Sequence, residues 1–242
     1  MKNKTPSVFS LSKRNKTVNL PPIFIQLFQK INMQDTFIFI ERLTERHQQG
    51  LPGRDYQLKM AAILKRSIFD APLTARKAAV LMLLFPKNGE WQLVLTERMG
   101  NEKDPHSRQI SFPGGSAEAS DADLAATALR ETHEEIGVPP TNIQIIGAMT
   151  DVYIPVSNFH VQPFLAWTNT PPQYKRQETE VKQVIETPLS VLKNKDNWKT
   201  KDIYINENYN FKNVPYFDVS GKHVWGATAM MIAELLEILK EF

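Results

Sequence analysis

The sequence predicts an α/β fold, with a mixed sheet covered by helices, and three observations carry that expectation. Apolar runs such as "KAAVLMLLFP" (77–86) and "WQLVLTER" (91–98) are short, lack a helical period and are bounded by turn residues, so they read as strands. Two longer segments, "DADLAATALRETHEEIG" (121–137) and "VWGATAMMIAELLEILKEF" (224–242), read as helices. Strands and helices alternate irregularly, without a repeating strand–helix–strand unit. That pattern argues for a mixed sheet in one domain from about residue 33 to 242.

At the start of that domain, "DTFIFIERLTERHQQ" from Asp35 predicts a helix capped by Asp35 or Thr36 and ended by Gly50 and Pro52. "LPGRDYQLKMA" reads as a loop and a short helix. The two apolar runs flank "KNG" and form a hairpin. "QISFPGG" leads into a turn. The helix over 121–137 has an acid-rich start and Gly137 as its C-cap. "IQIIGAMTDVYIP" and "FHVQPFLAWT" read as two strands, "NTPPQYKRQ" as a loop and "TPLSVLKN" as a short helix. "DIYINENYNFKNVPYFDV" reads as a hairpin before the C-terminal helix.

Composition narrows the function. The 242 residues, 42% apolar and 23% charged, suit one sizeable globular domain. The absence of cysteine excludes disulfides, thiolate metal sites and a cysteine nucleophile, and it fits a reducing compartment. No apolar run reaches the roughly 18 residues of a membrane span. With no secretory peptide and a C-terminal "KEF" that is no peroxisomal address, the expected location is cytoplasmic. Residues 1–32 carry six basic groups and no acid, within a net charge of +3 for the chain. Such an arm is compatible with an organelle-targeting peptide, a nucleic-acid arm, a poorly ordered extension, or translation from an upstream start with Met33 opening the domain. It matches no known nucleic-acid module, so nucleic acid is not the expected partner.

The chemistry concentrates in "RETHEEIG" (130–137). On a helix, Glu131, Glu134 and Glu135 stand at i, i+3 and i+4 and share one face. Like charges so placed repel, and Arg130 is spaced to relieve Glu134 only. Clustered carboxylates suit hard divalent cations such as Mg²⁺ or Mn²⁺. A solvated helix face is the plainer alternative for three glutamates alone. Upstream, Gly114 and Gly115 in "FPGG" permit a tight turn and a close backbone approach to a ligand.

The combined string "FPGGSAEASDADLAATALRETHEEIGV" (112–138) resembles the Nudix box, G-x5-E-x7-R-E-U-x-E-E-x-G-U, in Arg130, Glu131, Glu134, Glu135, Gly137 and Val138. Thr132 stands at the apolar U position, and Ala122 stands where the general pattern has glutamate. Glu118 and Asp121 instead match the spacing of the coenzyme A diphosphatase branch. "VLTERMGNEKDPHSRQISFPGG" (94–115) is similar to that branch's upstream signature in Leu95, Thr96, Arg98, Ile110, Ser111 and the FPGG. It departs at Met99, at Arg108 and by one inserted residue. The likeness extends over roughly 36–240.

The resemblance implies a Nudix-like α/β/α sandwich and hydrolysis of a diphosphate bond in a small nucleotide substrate. The substrate it implies is coenzyme A or a thioester of it, and the alternatives are ADP-ribose, NADH, a damaged nucleoside triphosphate, or a non-catalytic binding module. It implies that Glu131, Glu134 and Glu135, with the Gly115 carbonyl, hold Mg²⁺ or Mn²⁺, and that Arg130 orients the carboxylates. Glu178 and Glu180 in "QETEV" are candidates for a general base outside the box. Arg98, Arg108, Arg54 and Lys59 are candidate phosphate contacts, and Phe112, Tyr153 and Phe159 are candidate platforms for adenine. A homodimer is compatible with this reading.

Overall fold

Alternation along the longest apolar strand sets the architecture. In a computed structural model, described here over residues 22–62, 71–100, 109–206 and 209–242, strand β1 (Arg76–Lys87) carries Ala79, Leu81, Leu83 and Phe85 on one face. These pack with Val94, Ala128, Ile136, Val138, Ile143 and Ala166 as a buried cluster. Met82 and Leu84 on the opposite face are equally buried. Burial on both faces is why the run shows no polar alternation.

β1 sits at the centre of an eight-stranded mixed sheet. It pairs antiparallel with β2 (Glu90–Arg98) and β4 (Gly114–Ser116), and parallel with β7 (Phe159–Trp167). β2 also pairs with β3 (Ile110–Ser111) and β8 (Val181–Pro188). β5 (Gln144–Ala148) and β6 (Val152–Ile154) both pair with β7. β9 (Trp198–Asn206), β10 (Tyr209–Val219) and β11 (Lys222–Trp225) form a separate antiparallel sheet. Buried Glu97 on β2 links the two sheets, accepting from Lys182 on β8 at 2.6 Å and from Lys222 on β11.

The helices are α1 (Pro22–Gln48), α2 (Arg54–Gln57), α3 (Leu124–Ile136), α4 (Leu189–Lys193) and α5 (Gly226–Ile238). By contact density the chain divides into residues 1–42 and residues 43–242. The first part is helical over residues 22–42, and the second holds both sheets and helices α2 to α5. Among the described residues no helix is long and apolar enough to cross a membrane.

Several expectations are corrected. α1 begins at Pro22 and not near Asp35, because proline's fixed φ suits a first helical turn and the chain stays helical through Met33. "IQIIGAMTDVYIP" is two strands, β5 and β6, interrupted at Met149–Asp151. "VKQVIETP", to which the sequence assigns no strand, forms β8. Val224 and Trp225 belong to β11, so α5 starts two residues late. α5 is buried almost all round, from Ala229 to Leu236, as its largely apolar sequence requires, and its one fully buried acid, Glu234, is met by Gly53 N–H and Gln57 Nε2 at 3.1 Å each.

Candidate active site

Helix α3 is built to hold its charges at fixed places. Asp123 caps it, accepting from the Ala126 N–H at 2.8 Å, and Gly137 closes it in the left-handed conformation at φ 75°. Thr132, at the apolar position of the motif, is buried and donates its hydroxyl proton to Ala128 O at 2.7 Å.

Arg130 gathers the acids. Its Nε and Nη2 donate to the two oxygens of Asp121 at 2.8 and 3.0 Å. Its Nη1 donates to Glu131 at 3.1 Å and Glu134 at 2.9 Å, and Nη2 also reaches Ser116 O at 3.0 Å. Helical spacing assigns Arg130 one glutamate, whereas the fork serves two. Asp121 accepts further from the Glu118 N–H at 2.9 Å and from Thr127 Oγ1 at 2.8 Å. The Arg130 hydrogen bonds, with the Glu118 N–H, hold its carboxyl well below the usual carboxylate range. The motif marks Asp121 only as an outer acid. Its role as the anchor of Arg130 depends on the turn at 118–121, which spacing alone does not show.

The three glutamates are not equivalent. Glu134 is exposed and held by Arg130. Glu131 is half-buried against Gly115, where a Cβ would lie 2.5 Å from the Glu131 carboxyl carbon, so any larger residue at 115 would push the Glu131 carboxylate out of its place. Burial pushes the Glu131 pKa up; Arg130 opposes this, while Glu134 and Glu180 reinforce it. Glu135 is buried and accepts the Gly114 N–H at 3.2 Å. Its pKa is pushed up to about 8, first by burial and then by Glu131 and Glu180, against the Gly114 hydrogen bond and the charge of Arg98. Among the described residues no three His, Asp or Glu side chains are disposed to hold a metal ion, because Arg130 draws two of them outward and Gly114 draws the third inward. The donor set nonetheless fits a hard divalent cation. Glu131 lies against Gly115, Glu135 accepts from the Gly114 N–H beside it, and burial pushes both carboxylates toward the neutral form, as hard oxygen donors lacking a cation would be.

The loop before β8 gives the two candidate bases different surroundings. Lys175 N–H and Gln177 N–H donate to the last carbonyls of α3, Ile136 O and Glu135 O, at 2.9 and 2.8 Å. Met99 N–H then donates to Glu180 O at 2.7 Å. Docked in this way, the loop brings Glu180 within electrostatic reach of Glu131 and Glu135. Glu178 turns to Arg176 at 3.2 Å.

Beside Gly114 and Gly115 opens a cavity of about 600 Å³. Its walls include Arg98, Phe112, Tyr153 and Phe159, and also Phe211 and Trp225, for which the sequence suggests no role. Phe112 is core as well as wall, at 2% exposure. Arg54 pairs with Asp151 at 3.7 Å, and Lys59 stands 3.7 Å over the Tyr56 ring. Arg108 and His106 lie outside the described residues.

Residues 75–206 match the family model described as NUDIX domain. An uncharacterized Nudix hydrolase NudL of Citrobacter koseri is 33% identical over 173 residues, covering 72% of this chain and 88% of the relative. One from Escherichia coli is 32% identical over 183 residues, covering 75% and 92%. Among solved structures, a MutT/nudix family protein from Enterococcus faecalis covers 83% of this chain and 69% of its own at 16% identity, with a TM-score of 0.43. The family model spans more than half the chain, in the stretch that holds the Arg130 cluster, and the relatives align over most of their length; the chain belongs to the Nudix hydrolase family and acts as a hydrolase on pyrophosphate bonds.

Proposed function

We propose that this chain hydrolyses the diphosphate bond of coenzyme A or its thioesters, releasing 4′-phosphopantetheine and adenosine 3′,5′-bisphosphate. The observation that carries this reading is the joining of the "VLTER" and "ISFPGG" segments, as β2, β3 and β4, around one aromatic-walled cavity beside the box. In a Nudix hydrolase, which generally needs a divalent metal ion, Glu131, Glu134, Glu135 and the Gly115 carbonyl would hold Mg²⁺ or Mn²⁺. Such a cation supplies neutralisation of diphosphate charge and acidification of attacking water.

The remaining work falls to the chain's own groups. Arg130, anchored on Asp121, sets where Glu131 and Glu134 point. Glu180, within electrostatic reach of Glu131 and Glu135, would accept the proton from water, and Glu178, paired with Arg176, would not. Arg98, which lines the cavity and lies within electrostatic reach of Glu135, would meet phosphate oxygens.

The test is a panel of coenzyme A, acetyl-coenzyme A, ADP-ribose, NADH and oxidised nucleoside triphosphates, with Mg²⁺ and with Mn²⁺, and with product identification. Coenzyme A and its thioester should be cleaved with the largest kcat/KM. Preferential cleavage of another member would transfer the same chemistry to that substrate. Failure to cleave any member would sink the hydrolytic reading of this site.

A further inference from the structure

Strand alternation puts Arg76 on the cavity side of β1. Arg76, Ala78 and Val80 line the cavity, whereas Ala79 and Leu81 face the buried cluster. On the parallel neighbour β7, Phe159 is the register partner of Arg76 and Val161 that of Ala78, and both also line the cavity. The Arg76 guanidinium carbon stands 4.0 Å from the Phe159 ring centroid, which fixes the plane of its fork. One of its five N–H donors reaches Ser157 O at 3.1 Å. Among the described residues Arg76 makes no ion pair, while Arg54, Arg130 and Arg176 each hold a carboxylate.

The charge of the cavity is one-sided. Among its described lining residues, Arg98 and Arg76 carry the only charges and there is no carboxylate. Arg98 belongs to the diphosphate end, beside Glu135. Arg76 is three strand residues from Ala79, whose pairing partner is Gly115, so about 10 Å of strand separates it from the box. Between the two ends lie aromatic and aliphatic walls. The complementary ligand has an anionic group at each end of a flat, largely apolar body.

We propose that Arg76, stacked on Phe159, forms a second anion subsite that selects nucleotides bearing a phosphate ester on the ribose in addition to the scissile diphosphate. This rests on the hydrolysis proposed above for its choice of substrates, but its binding arm does not.

Wild type, R76A and R76K are compared on coenzyme A and dephospho-coenzyme A, which differ only in the ribose phosphate. Calorimetry then compares adenosine 3′,5′-bisphosphate with adenosine 5′-monophosphate on the same proteins. In R76A the ratio of kcat/KM for coenzyme A over dephospho-coenzyme A falls by about tenfold, mainly through KM, as expected for one charge-assisted contact. R76K lies between, keeping the charge and losing the stacked fork. A structural defect would lower both substrates alike and leave the ratio where it was, and that result overturns the subsite. If wild type spares coenzyme A, the substrate reading fails and calorimetry decides the subsite. Tighter binding of the bisphosphate that is lost in R76A upholds it, and equal binding of the two nucleotides rejects it.

Discussion

Arg130 and Glu135 show how far a side chain's chemistry depends on what its neighbours have already committed. Arg130 divides its donors among Asp121, Glu131, Glu134 and Ser116 O, so it acts as a clamp and not as a counterion to one partner. Glu134 is its exposed ward. E134Q keeps the size and the surface position, and we expect hydrolysis to fall by ~100-fold or more with Tm nearly unchanged, measured by steady-state assay and thermal melting. Glu135 makes a pH-dependent contribution. Its folded pKa of about 8 stands above the ordinary 4.5, so the folded state holds a proton that the unfolded chain releases. The stabilisation tied to that proton is complete below about 4.5 and is lost as pH rises through about 8. The Tm of the metal-free protein should therefore decline between about pH 4.5 and 8 and level off above that, and E135Q should flatten the decline. Added Mn²⁺ requires the carboxylate, so it should raise Tm more at pH 8.5 than at pH 6.5. Equal metal effects at both pH values would remove Glu135 from the ligand set.

At the scale of elements, β4 and α3 meet through two adjacent glycines with different duties. Gly114 has φ 152° and a Cβ there would fall 2.3 Å from Ala79 O, a backbone atom that cannot move aside. Gly115 would instead meet the end of the Glu131 side chain. G114A should cost about 2 kcal/mol or more of stability in denaturant titration. G115A should leave stability closer to wild type and lower activity, because Glu131 is displaced from its place. Equal effects of the two substitutions would contradict this division. Most of α3 was legible in the sequence, since caps, amphipathic stripe and charge spacing are local. The docking of the 174–180 loop onto its C-terminal carbonyls was not, because those hydrogen bonds join residues about forty apart in sequence.

Over the whole molecule, the two sheets are joined through a charge. Glu97 is buried and holds Lys182 and Lys222 from two other strands, so its loss removes both ion pairs from the junction and leaves the lysines to water. E97A should destabilise by about 1.5 kcal/mol, read from chemical denaturation, whereas a surface pair such as Lys212–Asp202 should contribute under about 1 kcal/mol. A value for E97A near that of the surface pair would show that the sheets are held together by apolar packing alone.

By itself the sequence determined the box, helix α3, the buried hairpin of β1 and β2, and the family, because each depends on spacing within a few turns or one strand pair. Tertiary structure decided that Glu180 comes within electrostatic reach of Glu131 and Glu135, that Glu135 is buried, that α5 is a core helix, and that Arg76 faces the cavity with Phe159. The reason is distance along the chain. Arg76 and Phe159 become neighbours only when β1 and β7 pair in parallel across 83 residues, and no local pattern records that pairing.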